Sequence, residues 1–458
     1  MLRLVKPRAV ARRLSTLEAP VWGREEFYAQ TRLPVEQATT LAPELYTDDA
    51  VLAHEARTLF RRNWVCVGHA SELARHGDVM PVDLPGNQPL FLANNKGTIN
   101  AFHNVCRHRG ARLVEKKGRH NMISCPYHRW GYALSGELKG TPCWDTSEVA
   151  GAGGDGIDPG KGRGDQIPPH VRARFDTGHV VNFDKKDYGL FGCGVAQWGN
   201  MLFVNPSAGA GDRAPAADCA GVELSEHIGE LAPELANYPL HETVVAREKE
   251  VQPKANWKLL AENFLEYYHL PSVHPALCKV SGVEEHIRTQ GRGKYMAFAT
   301  NPLTNGGTAI DPDVAPPMPG LSPHDAESAR HVLIYPNVFM SIYPHHIFRV
   351  ILEPTSAGVT NERTHLLVHP SIFELDDADA IIDGFMAFHT HVNSEDMDIC
   401  ESVQRGIHAS PYRGGRYSFR FEETLHRFHN MVADSLVGND MHVPAGDAEL
   451  EHFWGKAA

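Results

Sequence analysis

Two cysteines and two histidines lie in two short segments within the first third of the chain. Cys106 and His108 form a Cys-x-His pair, and Cys125 and His128 form a Cys-x-x-His pair after sixteen intervening residues. Thiolates and imidazoles are ligands for zinc and for iron–sulfur clusters. Because two such pairs fall within so short a stretch, these four side chains are predicted to hold a metal group.

The arrangement of the four ligands bears on which metal group it is. A structural zinc ion takes four such ligands in a tetrahedron, but zinc modules usually pair like ligands within one loop. In a Rieske [2Fe–2S] cluster, two histidines replace two cysteines on one iron. Here each segment supplies one cysteine and one histidine, so each segment could offer a ligand to each iron. The spacing favours the cluster, with structural zinc as the alternative.

A second set of possible ligands lies in the segment NWKLLAENFLEYYHLPSVH, where a helix is predicted from about Ala255 to Tyr268. His269 follows Glu266 by three residues, which would place both on one helix face. Pro271 would then break the helix, and the chain could return His274 to the same point. Two histidines at a helix end could also be ordinary charges that complement the helix dipole.

A carboxylate would complete the 2-His-1-carboxylate triad of non-haem Fe(II) oxygenases. Asp396 and Asp398, in the run NSEDMDICESVQRG, both have the required chemistry. Glu266 has a separate possible role, because a carboxylate near an iron-binding histidine can hydrogen-bond the other ring nitrogen and fix its tautomer. It could also bridge to a histidine of the cluster, whereas a lone helix acid would be a solvated surface charge.

The elements that must position these residues fall into two groups. Short runs of β-branched and aromatic residues, separated by turn signals, predict an all-β domain over residues 40–143. Residues 144–184 are rich in glycine and are predicted to be a flexible insertion. Further strands and late helices predict a second domain over residues 185–445, so the fold class is α+β. The late helical patterns fall at about residues 376–392, 396–405 and 422–437.

The composition of the chain argues against two classes of partner. With 44 Lys+Arg against 56 Asp+Glu, the net charge of -12 is opposite to that of a nucleic-acid-binding surface. No run approaches ~20 consecutive apolar residues, so no membrane-spanning helix is expected.

The first sixteen residues differ from the rest of the chain. They contain five basic residues and no acid, with apolar residues that could line one helix face. This pattern is typical of an organellar transit peptide, so residues 1–16 are predicted to be one. A mitochondrial address is favoured over a plastid one because arginine outweighs serine. A disordered basic tail is the alternative.

With both sets of ligands in view, the chain resembles the large (alpha) subunit of Rieske non-haem iron oxygenases over roughly residues 40–143 and 185–440. The resemblance implies a Rieske domain, a helix-grip catalytic domain with a mononuclear Fe(II), and a homotrimer. It also implies which side chains bind each group: the cluster ligands are Cys106, His108, Cys125 and His128, and the iron ligands are His269, His274 and Asp396.

The same resemblance implies a route for electrons between subunits. Glu266 would join His128, at the cluster of one subunit, to His269, at the iron of the next. The electrons are expected from a separate ferredoxin or NAD(P)H-dependent reductase, because the G-x-G-x-x-G run of the chain, at 151–156, neither follows a predicted strand nor opens a predicted helix, as a dinucleotide turn would.

Glutamate at position 266 departs from the aspartate of many aromatic-ring dioxygenases. The runs ENFLEYYH and EDMDICESVQRG are similar to the branch that oxidises quaternary ammonium compounds, choline monooxygenase in particular. The expected reaction is therefore hydroxylation of choline to betaine aldehyde hydrate. The alternatives are oxygenation or demethylation of glycine betaine or carnitine, oxygenation of an aromatic ring, and a Rieske electron carrier without enzymatic activity.

A trimethylammonium group is held by aromatic faces, each worth ~0.5–2 kcal/mol. Only two or three of the aromatic residues near the iron ligands are expected to touch such a ligand, and aromatic rings would also suit an arene. The candidates are Phe264, Tyr267, Tyr268, Phe339, Tyr343 and Phe348.

Overall fold

The computed structural model describes residues 20–142, 183–207, 223–289 and 291–439. Residues 1–16, the predicted transit peptide, lie outside these ranges, and so does the predicted insertion apart from Phe183 and Asp184. Both therefore stay predictions. Among the described helices, none combines the length and the apolar composition that crossing a membrane requires.

Tight turns join the early strands where the sequence predicts them. Gly86 and Asn87 have φ angles of 76° and 56°, and Lys96 and Gly97 have φ angles of 55° and 90°. This left-handed backbone matches the twist of hairpin strands. The strands of the described residues are β1 (Val65–His69), β2 (Asp78–Leu84), β3 (Gln88–Asn95), β4 (Thr98–His103), β5 (Gly118–Arg119), β6 (Ile123–Ser124), β7 (Gly131–Tyr132), β8 (Leu138–Gly140), β9 (Gly192–Trp198), β10 (Met201–Asn205), β11 (Val244–Val251), β12 (His286–Arg288), β13 (Tyr295–Thr300), β14 (Ala329–Ile334), β15 (Val338–Ile342), β16 (His346–Ser356) and β17 (Val359–Val368).

The first sheet is completed by strands that follow the glycine-rich segment. Its seven antiparallel strands run in the order β1-β10-β9-β4-β3-β2-β5, and β6-β7-β8 form a separate small sheet. Cys193 of β9 pairs with Ala101 of β4, and Val204 of β10 pairs with Val65 of β1. The predicted start of the second domain at residue 185 differs from this arrangement, because a strand-like run does not itself specify which sheet it joins.

The second sheet separates two hydrophobic cores. Its order is β11-β17-β16-β15-β14-β13-β12, with every pair antiparallel. Successive residues of a strand face opposite sides. On β16, Ile351 packs with Phe203 of the first sheet, whereas Val350 packs with Leu260 and Phe428 of the helices. Burial on both sides explains why the inner strands β13, β14 and β15 read as nearly continuous apolar runs.

The helices follow mostly late in the chain, and the predicted α+β class is confirmed. The two patterns predicted at 376–392 and 396–405 form one continuous helix, because no proline or glycine separates them. The α-helices of the described residues are α1 (Glu44–Thr47), α2 (Asp49–Glu55), α3 (Leu224–Ile228), α4 (Leu231–Glu234), α5 (Trp257–Phe264), α6 (Leu270–Val273), α7 (Ala378–Ile407) and α8 (Glu423–Val437).

Buried neutral histidines make the fold sensitive to acid. Burial, with a smaller effect of the Lys294 charge, lowers the pKa of His227 to about 3. Its Nε2 donates to the carbonyl of Tyr335 over 2.7 Å. In the unfolded chain the ring of His227 takes up a proton as the pH falls below its ordinary pKa of 6.5. In the folded chain it does so only near pH 3. Protonation therefore favours the unfolded state, and the protein loses stability as the pH falls from about 6.5 toward 3.

We expect the His227→Gln variant to lose less of its free energy of unfolding than the unsubstituted protein between pH 7.5 and pH 5.5. The difference should be about 1.4 kcal/mol, the value of one pKa unit. Denaturant titrations at the two pH values measure it. His241→Gln is the matched control because the His241 side chain is 75% exposed. Equal acid sensitivity of the two variants would contradict the expectation.

Candidate functional site

The segment that carries His269 and His274 is built from two short helices. α5 ends at Phe264 instead of continuing to Tyr268 as predicted, and α6 begins at Leu270. Pro271 lies in the first turn of α6, where a proline fits because its missing N–H would have no helical partner. It therefore starts a helix instead of breaking one, and α6 separates the two histidines by a single turn.

Three of the predicted ligands converge on one point. His274 Nε2 lies 2.7 Å from Asp396 Oδ1, and His269 Nε2 lies 3.5 Å from the same oxygen. The three ligand atoms lie within 4.8 Å of one another. Asn263 Nδ2 donates to Asp396 Oδ1 over 2.6 Å and so holds the carboxylate in place. The distances allow all three side chains to bind one ion.

Each histidine is oriented by a glutamate on its other nitrogen. Glu266 Oε1 lies 2.5 Å from His269 Nδ1, and Glu395 Oε2 lies 2.8 Å from His274 Nδ1. The other oxygen of Glu266 accepts the backbone N–H groups of Tyr268 and His269. The predicted contact between Glu266 and His269 thus exists, but a non-helical turn makes it and not a shared helix face. Both Nε2 atoms are left facing Asp396.

Helix α7 supplies the carboxylate from its middle. His389, Asn393, Asp396 and Cys400 follow one another at intervals of four, three and four residues, so they share one face of the helix. That face lines the site. Asp398 is exposed to solvent. Of the two candidate acids, the structure brings Asp396 to the histidines.

The electrostatics of the triad suit a cation. Burial alone would lower the pKa of His269, but its contacts with Asp396 and Glu266 outweigh burial and raise it to about 9. The pKa of His274 is also raised, by Asp396 and Glu395 against the effect of burial. Burial would raise the pKa of Asp396, but the two histidines lower it to about 2. Two imidazoles and a carboxylate are the donor set of the 2-His-1-carboxylate iron triad, so the residues fit the ion.

Two tight loops bring the four predicted cluster ligands together. The N–H of Gly110 donates to the carbonyl of Cys106, and the N–H of Arg129 donates to that of Cys125, each over 3.0 Å. Gly110 and Arg129 have positive φ angles of 72° and 59°. The chain therefore reverses sharply just after each ligand pair.

The two loops bring the two cysteines next to each other and the two histidines next to each other. The thiol of Cys106 is close enough to act on the pKa of the Cys125 thiol, and the rings of His108 and His128 lie 4.6 Å apart. Nδ1 of His128 is buried without a hydrogen-bond partner in the described part of the chain. A Rieske cluster needs one iron between two sulfurs and one between two imidazoles, so this grouping fits it.

Hydrogen-bond donors surround the cysteine sulfurs. The hydroxyl of Tyr132 lies 3.3 Å from Cys106 Sγ. Burial raises the pKa of Cys125, while the backbone N–H groups of His128 and Tyr127 act on its sulfur in the opposite direction. Hydrogen bonds to sulfur are one of the means by which a protein sets the reduction potential of a cluster.

The two sets of ligands do not touch within one chain. Glu266 contacts Tyr268 and His269, and among the described residues no hydrogen bond joins it to His128. His128 contacts Tyr127, whose side chain is exposed.

A cavity opens beside the triad, and most of its wall is aromatic or apolar. Four of the six predicted aromatic residues line it. Phe264 stacks on Phe339 at 4.2 Å, and Phe348 stacks on His389 at 4.4 Å. The aromatic side chains that line the cavity are Phe264, Phe298, Phe339, Tyr343, Phe348 and Phe388.

The other two predicted aromatic residues lie outside the cavity wall. Tyr267 is buried and stacks on His286 at 4.7 Å. Tyr268 is exposed and stacks on Phe421 at 5.4 Å. Proximity in sequence to His269 therefore did not place either ring in the cavity, because the turn after α5 directs both away from it.

Apart from the two proposed iron-binding histidines, the charged groups of the cavity wall are acidic. Among the described residues that line it are Glu266, Glu362 and Asp396, but no lysine or arginine. Three further histidines of the wall are neutral at pH 7, because burial lowers the pKa of His286 to about 4 and the pKa of His331 and of His389 to about 3.

A chain of imidazoles fixes the protonation of His389. The carbonyl of Asp311 can only accept, so His345 Nε2 donates to it over 3.1 Å. His345 Nδ1 must then accept from His346 Nδ1, and His346 Nε2 from His389 Nε2, each over 2.7 Å. His389 therefore carries its hydrogen on Nε2 and belongs to the cavity as a neutral ring.

Both domains match known families. Residues 63–150 match the Rieske [2Fe-2S] domain, and residues 240–438 match the catalytic domain of the ring hydroxylating alpha subunit. The first match selects the [2Fe–2S] cluster over the zinc alternative. The second selects an oxygenase with a mononuclear iron over an electron carrier.

Curated relatives match along most of the chain. The glycine betaine monooxygenase oxygenase subunit of Chromohalobacter salexigens is 27% identical over 92% of this chain and 92% of its own length. The chloroplastic choline monooxygenase of Beta vulgaris is 26% identical over 88% of this chain and 78% of its own. The solved structure of a quaternary ammonium Rieske monooxygenase superimposes with a TM-score of 0.68, at 22% identity, over 92% of this chain and 100% of its own.

Proposed function

Because the chain belongs to the Rieske non-haem iron oxygenases, we propose that it uses dioxygen and externally supplied electrons to hydroxylate a small quaternary ammonium cation. Choline is the substrate we favour, with betaine aldehyde hydrate as the product. One observation carries the proposal: the cavity beside the triad combines aromatic rings with acidic side chains and, among its described residues, has no lysine or arginine.

The charge of the cavity bears on which quaternary ammonium compound is oxidised. Glycine betaine and carnitine each carry a carboxylate, which would enter a desolvated space whose described wall offers no lysine or arginine to pair with it, and a buried unpaired charge is costly. Choline carries a hydroxyl in its place. The trimethylammonium group common to all three would lie against the aromatic rings, each worth ~0.5–2 kcal/mol.

We assign the metal ligands as the resemblance implies. His269, His274 and Asp396 would hold the mononuclear iron, whereas the cluster would be held by Cys106, His108, Cys125 and His128. When bound, the iron supplies the activation of dioxygen and the cluster supplies single electrons.

The remaining side chains of the site position the ligands and the substrate. Glu266 and Glu395 hold the tautomers of the two iron-binding histidines through Nδ1. Asn263 keeps Asp396 turned toward them. The aromatic walls exclude water from the space that the substrate would fill, and a drier site strengthens every charge interaction within it.

Electron supply in this family requires a ferredoxin or a reductase as partner. We further propose that the chain works as a homotrimer in which Glu266 of one subunit approaches His128 of the next. Both side chains are half-buried within one chain, and among the described residues no hydrogen bond joins them.

A substrate panel tests the proposal. Oxygen uptake, coupled to product formation, would be measured with choline, glycine betaine, carnitine and an arene, each with the same reductase. We expect the kcat/KM for choline to exceed that of the two carboxylates by ~10-fold or more, since buried unpaired groups discriminate strongly. If the enzyme prefers glycine betaine or carnitine, that compound replaces choline as the proposed substrate. If it oxidises only the arene, the quaternary ammonium assignment is overturned.

A further inference from the structure

A buried glutamate in the cavity wall has no role in holding the triad. Glu362 lies on β17, and its residue surface is only 1% exposed. Asn393 Nδ2 donates to its Oε2 over 2.9 Å. Both side chains line the cavity that contains His269, His274 and Asp396. The carboxylate thus faces the space beside the proposed iron site without contacting the proposed ligands.

The surroundings of Glu362 do not supply a positive charge. The next residue, Arg363, does not pair with Glu362. Its Nε donates to Glu353 over 2.8 Å, and one of its terminal nitrogens donates to the carbonyl of Val67 over 2.5 Å. In the described part of the chain no ion pair reaches Glu362, and the charge that acts on it is the negative one of Asp396. Burial and this repulsion, against the hydrogen bond from Asn393, raise its pKa to about 7.

An unpaired carboxylate in such a place is costly to the folded protein. A buried charge usually has a partner, and a carboxylate kept for packing alone could be a glutamine, which would make the same hydrogen bond with Asn393. A cation bound in the cavity would supply the missing partner. The aromatic rings of the same wall would cover the methyl groups of that cation, since they cannot hydrogen-bond.

We infer that Glu362 is the specificity-determining residue that pairs with the cationic head group of the substrate. This inference rests on the proposed function, because it concerns how the cavity tells a quaternary ammonium from a neutral group of the same shape. Glu362 touches substrate in this role and takes no part in binding iron. Asn393 orients its carboxylate.

The test compares choline with 3,3-dimethylbutan-1-ol, in which an uncharged carbon replaces the nitrogen. Oxygen uptake and product formation give the kcat/KM for both compounds in the unsubstituted enzyme and in Glu362→Gln. We expect the substitution to lower the kcat/KM for choline by ~30-fold, the lower range for removing one member of a buried charge pair. The kcat/KM for the neutral alcohol should change by less than about threefold. A substitution that only damaged the structure would lower the kcat/KM of both substrates.

Glu250→Gln is the matched control, because Glu250 lies on the neighbouring strand β11, is exposed and lines no part of the cavity. It should leave both values unchanged. Glu362→Asp keeps the charge and should recover part of the preference for choline.

The outcomes separate the inference from the proposal beneath it. If the unsubstituted enzyme oxidises choline but Glu362→Gln lowers both substrates equally, or neither, the role of Glu362 is overturned and the proposed function stands. If the unsubstituted enzyme oxidises no quaternary ammonium compound, both are overturned. Should Glu362→Gln not fold, the unsubstituted enzyme alone still decides: equal kcat/KM for choline and the neutral alcohol would overturn the inference.

Discussion

The His274→Ala variant is expected to lose substrate oxidation while the purified protein keeps the red-brown colour of a Rieske cluster. His274 is buried, its Nε2 faces Asp396 at 2.7 Å, and it belongs to a different segment from the cluster ligands. Loss of a residue that only orients a metal ligand costs ~10–100-fold, so loss of the ligand itself should cost more than ~100-fold. Substrate-dependent oxygen uptake and the visible absorption of the cluster measure the two effects.

Two neighbouring acids on α7 provide a matched pair for the same experiment. Asp396→Ala should reproduce the loss, with the mononuclear iron gone and the cluster iron and sulfide retained. Asp398→Ala should keep full activity, because Asp398 is exposed two residues further along the helix. Glu395→Gln should fall between them, since Glu395 contacts His274 at Nδ1 and not at the nitrogen that faces Asp396. Loss of colour in His274→Ala, or of activity in Asp398→Ala, would contradict the division into two sites.

The identities of the candidate ligands could be predicted because metal chemistry restricts residue types so strongly. Few side chains bind iron, and Cys106, His108, Cys125 and His128 occur at a spacing that two short loops can close. The same restriction limited the iron-binding acid to Asp396 or Asp398. The resemblance selected Asp396, and the continuous helix α7 gives the physical reason, because it places Asp396 on the face shared with His389 and Asn393.

The backbone around the histidines could not be predicted in the same way. Apolar periodicity continues past Phe264, so the sequence suggests a helix that reaches Tyr268, yet α5 ends four residues earlier. The competing interaction is the carboxylate of Glu266, which accepts the N–H groups of the following turn and so stabilises a non-helical path. Pro271 then suits the first turn of a new helix as well as it would suit a break.

Contacts between segments that are distant in the chain could not be predicted from the sequence either. Glu395 is adjacent to Asp396 and could have been suspected as the partner of His274, but nothing in the pattern around Glu362 distinguishes it from a solvated strand residue. Its position depends on the packing of β17 against α7, where Asn393 reaches it. The pairing of β9 and β10 with the first sheet is a similar long-range choice, because strand propensity specifies a strand and not its neighbours.

Glu266→Gln is expected to separate cluster reduction from delivery of electrons to the mononuclear iron. A carboxylate that bridges two imidazoles holds both rings and gives a bonded path, whereas an amide cannot accept from both in the same way. Both metal centres should stay occupied, and substrate binding should be nearly unchanged. Reduction of the cluster by an artificial donor should survive, but substrate oxidation in a single turnover should fall by ~100-fold, the upper range for a residue that contacts a metal ligand.

Mixed oligomers test whether the route crosses between subunits. Cys106→Ala subunits would lack the cluster and His269→Ala subunits would lack the catalytic iron, so each preparation alone should be inactive. After the two are dissociated and reassembled together, some interfaces pair an intact cluster in one subunit with an intact iron in its neighbour. Activity should then partly return, and it should not return when either preparation is reassembled with itself. A mixture that stays inactive, although each parent assembles, would overturn the path through His128, Glu266 and His269.

A further mixture locates the bridge, with Glu266→Gln added to the Cys106→Ala subunits. These subunits supply the intact His269 in every productive pair. If the partial recovery then disappears, the bridge is Glu266 on the subunit that holds the iron.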